Sequence, residues 1–125
     1  MNPSLVIWYV SDPAEARRFY RALLLVEPTL DVPGMTEFAL PGGLQLGLMP
    51  EAGIRRLLPE LAQCAPHSAG AARAELYLRV EDPQAWLERA LAAGARLLDP
   101  VAARDWGERA GYVLDPWGHV LAFAC

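Results

Sequence analysis

The chain has 125 residues, 54% of them hydrophobic and 21% charged, with a net charge of −4. This length suits one domain with a core of its own, and no apolar run approaches the ~18–20 residues that cross a bilayer. All eleven basic residues are Arg and they are scattered, so there is no basic stripe for a nucleic acid.

The N-terminal residues MNPSLVIWYV lack the basic region of a signal peptide. We therefore expect a cytoplasmic protein with neither a nucleic-acid nor a membrane partner. The abundance of Ala and the absence of Lys are typical of a GC-rich bacterial genome. Cys64 and Cys125 lie 61 residues apart and form no CxxC motif, so we expect two free thiols.

The first half opens with an apolar and β-branched run, Leu5–Val10, which predicts a strand. Asp12 is a good N-cap and Pro13 suits the first helical position, so a helix should begin there and end before Pro28. Three further strands are predicted, at Thr29–Val32, Met35–Leu40 and Leu44–Met49. The helix should bury one face, formed by Ala16, Phe19, Tyr20, Leu23 and Leu24.

The middle of the chain predicts a connection between two halves. Ala52–Cys64 has a short amphipathic helical pattern interrupted by Pro59, and Ala65–Ala72 is rich in Pro, Gly, Ser and Ala. From its amphipathic pattern and position, we treat Ala52–Cys64 as a candidate lid over a binding cleft.

The second half repeats the order of elements in the first. Glu75–Val80 predicts a strand, Asp82 and Pro83 a helix start, and Gly94 a left-handed helix end. The helix is predicted from the spacing of Leu87, Ala90 and Leu91. The strands that follow are expected at Arg96–Asp99, Arg109–Leu114 and Val120–Ala124.

The two halves align as an internal repeat. Val10–Pro13 aligns with Val80–Pro83 at an offset of seventy residues. The last hairpins, at Pro41 and Pro116, align at an offset of seventy-five. The difference implies about five extra residues in the second-half loops, which we place in Val101–Gly107.

The repeat predicts an α+β fold. We expect two tandem βαβββ modules, about residues 1–50 and 74–125, joined by a linker with a short helix at 51–73. Each module is too small to bury its own sheet. The two sheets should therefore pair into one curved mixed sheet around a concave cleft, with the helices outside, in a single domain.

Short motifs across essentially the whole chain carry a family resemblance. They are Tyr9-Val10-Ser11-Asp12, Phe19-Tyr20 with Leu23, Val80-Glu81-Asp82-Pro83 with Ala93-Gly94-Ala95, and Leu114-Asp115-Pro116-Trp117-Gly118-His119. Their order and spacing resemble the glyoxalase/bleomycin resistance/dioxygenase superfamily, the vicinal oxygen chelate fold. One departure is that Leu24 stands where the family usually has Gly after the first helix.

The resemblance also implies where a catalytic metal would bind. Metal-dependent members carry four ligands, two before the strand-end Asp residues and two after the closing hairpins. These places fall on Leu5, Gly47, Glu75 and Ala122. A catalytic metal needs about three side chains with N, O or S donors, and only Glu75 has one. We therefore expect no metal and no other cofactor.

Strand alternation predicts which residues share the face of the expected cleft. The face should be aromatic, with a few polar groups and two small residues at its floor, which suits an organic ligand. Packing of the sheet or of a dimer contact is the alternative. The candidate ligand-binding residues are Ile7, Tyr9, Gln45, Gly47, Glu75, Tyr77, Arg79, Trp106, Tyr112 and Ala122.

Glu75 is the one candidate for catalysis. It lies four residues from Arg79, about 13 Å along a strand, so the two are not a direct pair. Glu75 could orient a cationic group or act as a general base, and a water-bridged or ion-paired carboxylate is the alternative. We expect His119 to cap a turn and His67 to be exposed in the linker.

The resemblance favours a metal-independent protein that binds a small aromatic or cationic organic molecule, similar to bleomycin-resistance proteins that sequester rather than transform. It also implies a homodimer. One alternative is a lyase, isomerase or dioxygenase-type enzyme that uses Glu75 or a metal bound in another register. Another is a structural dimer without a ligand.

Overall fold

The computed structural model describes residues 3–59 and 74–125. They fall into two compact units, one on each side of the segment 60–73. None of the helices in these two ranges combines the length and apolar character needed to cross a bilayer.

The first unit follows the predicted order of elements closely. Strand β1 (Leu5–Val10) leads into helix α1 (Pro13–Leu24), and a second helix, α2, is the last described element of the unit. The remaining elements are β2 (Leu30–Val32), β3 (Met35–Ala39), β4 (Gln45–Pro50) and α2 (Glu51–Leu57).

The first unit forms a four-stranded sheet in the order β1-β4-β3-β2, with β1 parallel to β4 and the other pairs antiparallel. Helix α1 packs on β3 and β4. Its buried face contains Ala16, Phe19, Tyr20, Leu23 and Leu24, as predicted. The indole N–H of Trp8 donates to the Tyr20 hydroxyl at 3.0 Å, so Trp8 faces the helix, as alternation required.

The second unit repeats this architecture. Its elements are β5 (Glu75–Arg79), α3 (Pro83–Ala92), β6 (Arg96–Ala103), β7 (Arg109–Leu114) and β8 (Val120–Ala124). The strand order β5-β8-β7-β6 matches that of the first sheet, again with only the first and last strands parallel. The two βαβββ modules of the α+β fold are thus confirmed, whereas a single domain around one cleft stays a prediction.

Both helix starts use the predicted caps. The Asp12 side chain accepts from the backbone N–H of Glu15 at 3.1 Å, and Asp82 accepts from that of Ala85 at 3.2 Å. Gly94 has a φ of 116° just after α3, which confirms the left-handed helix end.

The end of α1 corrects one prediction. Leu24 is the last helical residue and is buried, and the left-handed residue is Leu25, with φ 58° and ψ 33°. The position that favours glycine is therefore one residue later than we placed it. Leu25 adopts a conformation that is costly for a leucine, and its side chain is 67% exposed.

The extra length of the second module is also placed differently from the prediction. Strand β6 has eight residues where β2 has three, so Val101–Ala103 extend a strand instead of a loop. The β6–β7 register shifts twice, between Leu97 and Asp99 and between Asp99 and Ala102. At these irregularities β6 comes close to Gly111, where an added Cβ would lie 3.0 Å from the Val101 backbone nitrogen.

The predicted connection is described only in part. Helix α2 packs against β1 and β4 and buries Ile54. Residues 60–64 of the candidate lid, the linker Ala65–Ala72, Cys64 and His67 lie outside the described residues. The lid and the thiol state of Cys64 stay predictions, while Cys125 is a free, exposed cysteine.

Candidate functional site

The face of the second sheet opposite α3 carries several predicted site residues. Tyr77 on β5 and Tyr112 on β7 are both in register with Ala122 on β8, which lies between them. Glu75 and Arg79 flank Tyr77 on the same strand face and are exposed, whereas Leu76 and Leu78 are buried. Ala122 is fully buried, so the two tyrosines stand on either side of a flat floor.

Trp106, in the turn between β6 and β7, is bound to this face. Its indole N–H donates to the Tyr77 hydroxyl at 3.0 Å. The Tyr77 hydroxyl in turn donates to Oε1 of Glu108, also at 3.0 Å. The Trp106 side chain is nevertheless 56% exposed, so its ring presents aromatic surface while its nitrogen is anchored.

Glu108 joins this chain to Arg79. The Nε of Arg79 donates to Oε2 of Glu108 at 3.0 Å and Nη2 donates to Oε1 at 3.2 Å. The hydrogen bond from Arg79 lowers the pKa of Glu108; partial burial opposes this shift, and the hydrogen bond from Tyr77 supports it. The same pairing raises the pKa of Arg79. Arg79 therefore pairs with Glu108, and its guanidinium lies 5.4 Å from the centre of the Tyr77 ring.

Tyr112 lies beside another cation, the half-buried Arg104. The Arg104 guanidinium is 5.1 Å from the Tyr112 ring centre, donates to the carbonyl oxygen of Ala110, and pairs with Asp99 at 2.8 Å. Burial raises the pKa of the Tyr112 hydroxyl above its usual value, and the negative charge of Glu75 raises it further. The hydroxyl is thus a neutral donor at ordinary pH, in the negative field of Glu75.

The first unit presents a second apolar face. Ile7 and Tyr9 on β1 are exposed, and Gly47 on β4 is in register with Ile7. The floor at Gly47 is not open as predicted, because a Cβ there would meet Leu5 Cδ1 at 2.8 Å and Met35 Sδ at 3.1 Å. Those side chains fill the space that the glycine leaves.

Gln45 lies at the edge of a small hollow of about 310 Å³ that Glu37 and Leu30 also line. The side-chain oxygen of Gln45 is 3.0 Å from the hydroxyl oxygen of Thr29. Gln45 is therefore held in place by its own unit.

A larger groove, of about 550 Å³, lies between the start of α1 and the β2–β3 turn. The sequence did not indicate it. The polar residues in its wall satisfy one another: Arg17 Nη1 donates to both carboxylate oxygens of Asp31 at 3.2 Å, and the Thr36 hydroxyl donates to Oδ1 at 3.1 Å.

The side chains at the four family metal positions do not fit a metal. Leu5, Gly47 and Ala122 have no donor atoms, and Glu75 supplies a single carboxylate. In the described ranges, no three His, Cys, Asp or Glu side chains lie close enough together to hold an ion.

His119 belongs to a turn. Asp115 is buried, and its Oδ1 accepts from the backbone N–H groups of Trp117 at 2.9 Å and His119 at 2.8 Å. Its Oδ2 lies 2.8 Å from Nδ1 of His119. The Asp-Pro-Trp-Gly stretch is thus a β7–β8 turn closed by its own aspartate.

The structure brings together Tyr77, Arg79 and Trp106 and places Tyr112 and Glu75 on the same sheet face. Sequence reasoning missed Glu108, which links three of them. Glu108 directly precedes a predicted strand and lies 29 residues from Arg79. The sequence shows only an acidic residue just before β7, which does not indicate its contact with Arg79 at the end of β5.

The family of the chain follows from its fold and sequence together. Two βαβββ units of identical topology define the fold class of the protein. The family model of the glyoxalase-like domain matches residues 4–124. The chain therefore belongs to the glyoxalase-like domain family, and its fold is that of the glyoxalase/bleomycin resistance/dioxygenase superfamily.

Solved structures of the same fold match along nearly the whole chain. A glyoxalase/bleomycin resistance protein/dioxygenase family enzyme from Burkholderia phytofirmans has a TM-score of 0.83 at 19% identity, covering 99% of this chain and 98% of its own. A glyoxalase-related enzyme from Fulvimarina pelagi has a TM-score of 0.78 at 24% identity, covering 99% and 87%. At these identities the likeness shows the fold alone.

Sequence relatives match over a shorter stretch. An uncharacterized protein of Mycobacterium bovis is 41% identical over 54 residues, which cover 43% of this chain and 36% of that protein. A Mycobacterium tuberculosis protein matches equally well over 32% of its length. The match thus spans about a third of these relatives.

Proposed function

We propose that the protein binds a small, planar, cationic organic molecule without a metal and without transforming it. The observation that carries the proposal is the face of the second sheet, which carries Tyr77, Tyr112 and Glu75 and, bonded to Tyr77, the exposed ring of Trp106. Aromatic rings with a few fixed polar groups are typical of organic-ligand sites.

The charge of Glu75 favours a cation beside it over an anion. Glu108 is paired with Arg79, and Asp99 with Arg104. Glu75 has no ion-pair partner among the described residues and acts on Tyr112 through its negative field. A ligand cation placed against Glu75 and an aromatic face would gain both a charge contact and a cation–π contact.

The absence of donors at three of the four family metal positions supports a metal-independent role. Glu75 alone cannot hold a divalent ion against water. The bleomycin-resistance proteins that the superfamily's name includes are the functional model, since they bind without chemistry. Two related expectations stay predictions: a homodimer, and a cytoplasmic location.

The test uses two planar probes of similar shape. Near neutral pH 9-aminoacridine is a cation, whereas acridine is neutral. Isothermal titration should show saturable binding of 9-aminoacridine and weaker binding of acridine. Trp106→Ala should weaken both by about tenfold, the order of one stacking contact, and Glu75→Gln should weaken only the cation.

The matched control is Glu88→Gln, which removes the same charge from α3 on the other side of the sheet. It should leave binding unchanged. Binding of neither probe, or an equal loss in Glu88→Gln and Glu75→Gln, would overturn the proposal. Consumption of a probe would favour the enzymatic alternative.

A further inference from the structure

We propose that Glu108 is a positioning residue: acting through the Tyr77 hydroxyl, it fixes the Trp106 ring in the orientation that receives a planar ligand. This inference rests on the proposed function and names the residue that prepares its site. Glu108 need not touch the ligand, because Tyr77 lies between it and Trp106.

The direction of the hydrogen bonds makes Glu108 the organising group. A carboxylate only accepts, and both oxygens of Glu108 accept from Arg79. The single Tyr77 hydroxyl proton is given to Glu108 Oε1. The Tyr77 oxygen then has its lone pairs free, and one of them accepts the Trp106 indole N–H.

Trp106 needs this support because its side chain is exposed and its indole N–H makes no other hydrogen bond within the described ranges. The turn backbone is fixed by hydrogen bonds from Arg104 N–H to the Glu108 carbonyl oxygen at 2.8 Å and from Gly107 N–H to the Arg104 carbonyl oxygen at 3.1 Å. The exposed Trp106 side chain can still rotate about its own torsions. A hydrogen bond at its nitrogen removes that freedom before a ligand arrives, which lowers the entropy cost of binding.

A glutamine at position 108 would not substitute for the glutamate. Its amide has one accepting oxygen and an NH2 group that only donates. If the oxygen faces Arg79, the NH2 group faces Tyr77 and competes with Trp106 for the tyrosine oxygen. If the oxygen faces Tyr77, the second bond to Arg79 is lost.

The first test needs no ligand. The indole N–H resonance of Trp106 is assigned in a ¹⁵N-correlation spectrum by its loss in Trp106→Phe. In the wild type it should shift as pH falls through the lowered pKa of Glu108, below the usual range for a glutamate. In Glu108→Gln that titration should be absent. Asp105→Asn, an exposed change in the same turn, should titrate as the wild type does.

The second test measures 9-aminoacridine affinity by isothermal titration. Glu108→Gln and Tyr77→Phe should each weaken binding by about fivefold, the order of one hydrogen bond. The double variant should be no weaker than either single variant, because both remove the same connection. Circular dichroism should show that all three variants are folded.

Each failure has a distinct meaning. An indole resonance that titrates identically in wild type and Glu108→Gln, or additive losses in the double variant, would overturn the positioning role while leaving ligand binding intact. If the wild type binds no probe, the proposed function fails. The ligand-free titration then still decides whether Glu108 orients Trp106.

Discussion

Asp115 and His119 are bound to each other twice across the β7–β8 turn. Oδ1 of Asp115 accepts the His119 backbone N–H, and Oδ2 lies 2.8 Å from the His119 Nδ1. A carboxylate and a histidine at this distance resemble part of a catalytic pair. Here the aspartate also accepts from Trp117 N–H, which makes it the acceptor that closes the turn.

Asp115→Ala should therefore be more harmful than the loss of an ordinary helix cap. The turn loses the buried acceptor of two backbone N–H groups, and we expect the free energy of unfolding to fall by about 2–3 kcal/mol. Asp82→Ala, which removes one cap of α3, should cost about 1 kcal/mol. Urea unfolding measures both, and equal losses would contradict this account of the turn.

Gly111→Ala tests the close approach of β6. The new Cβ would lie 2.7 Å from Val101 Cγ2 and 3.0 Å from the Val101 backbone nitrogen. Because displacing the Val101 backbone costs energy, we expect a loss of about 2 kcal/mol in the free energy of unfolding. Gly53→Ala in α2 is the control, since its neighbours lie 3.9 Å away. A neutral Gly111→Ala would show that the strands can separate without cost.

Leu25→Gly should stabilise the protein. It relieves the left-handed strain on a leucine but adds freedom to the unfolded chain, leaving a net gain of about 0.5 kcal/mol. Val26→Gly, at the next position, where φ is not positive, should instead lower the free energy of unfolding. The melting temperatures of the two variants provide the measurement. A less stable Leu25→Gly would mean that the Leu25 side chain contributes more than its strain costs.

The raised pKa of Tyr112 predicts that the protein loses stability at alkaline pH. Burial raises its folded pKa, so the folded state holds the tyrosine proton more tightly than the unfolded state. Its contribution is fully present below the unfolded tyrosine pKa, about 10, and is lost as pH rises through the higher folded value. The free energy of unfolding of the wild type should thus fall relative to Tyr112→Phe across that window. A constant difference between the two proteins would contradict the raised pKa.

The sequence predicted regular elements well where local patterns control them. The bounds of β1, β7 and β8 and the starts of both long helices match, because alternation, Asp caps and Pro at the first helical position are local signals. The predicted element bounds were wrong where contacts between residues far apart in the sequence determine the structure. The residues of β6 from Val101 onward became strand because β7 was available to pair with them, and no local pattern shows that.

The candidate site was predictable to a similar extent. Alternation placed Tyr77 and Arg79 on one face, and the position of Trp106 just before the adjoining strand made it a candidate. The role of Glu108 could not be predicted, because it depends on how the β6–β7 turn folds back toward β5. The filled space at Gly47 was missed for a related reason: the side chain of Met35, on a neighbouring strand, occupies it.

The central claim is binding without a metal, and one measurement tests it most directly. Purified protein is analysed for metals by mass spectrometry, treated with a chelator, and titrated with 9-aminoacridine before and after treatment. The account predicts no stoichiometric metal, the same affinity in both titrations, and recovery of the unchanged probe. A stoichiometric metal whose removal abolishes binding, and whose content falls in Glu75→Ala, would contradict it.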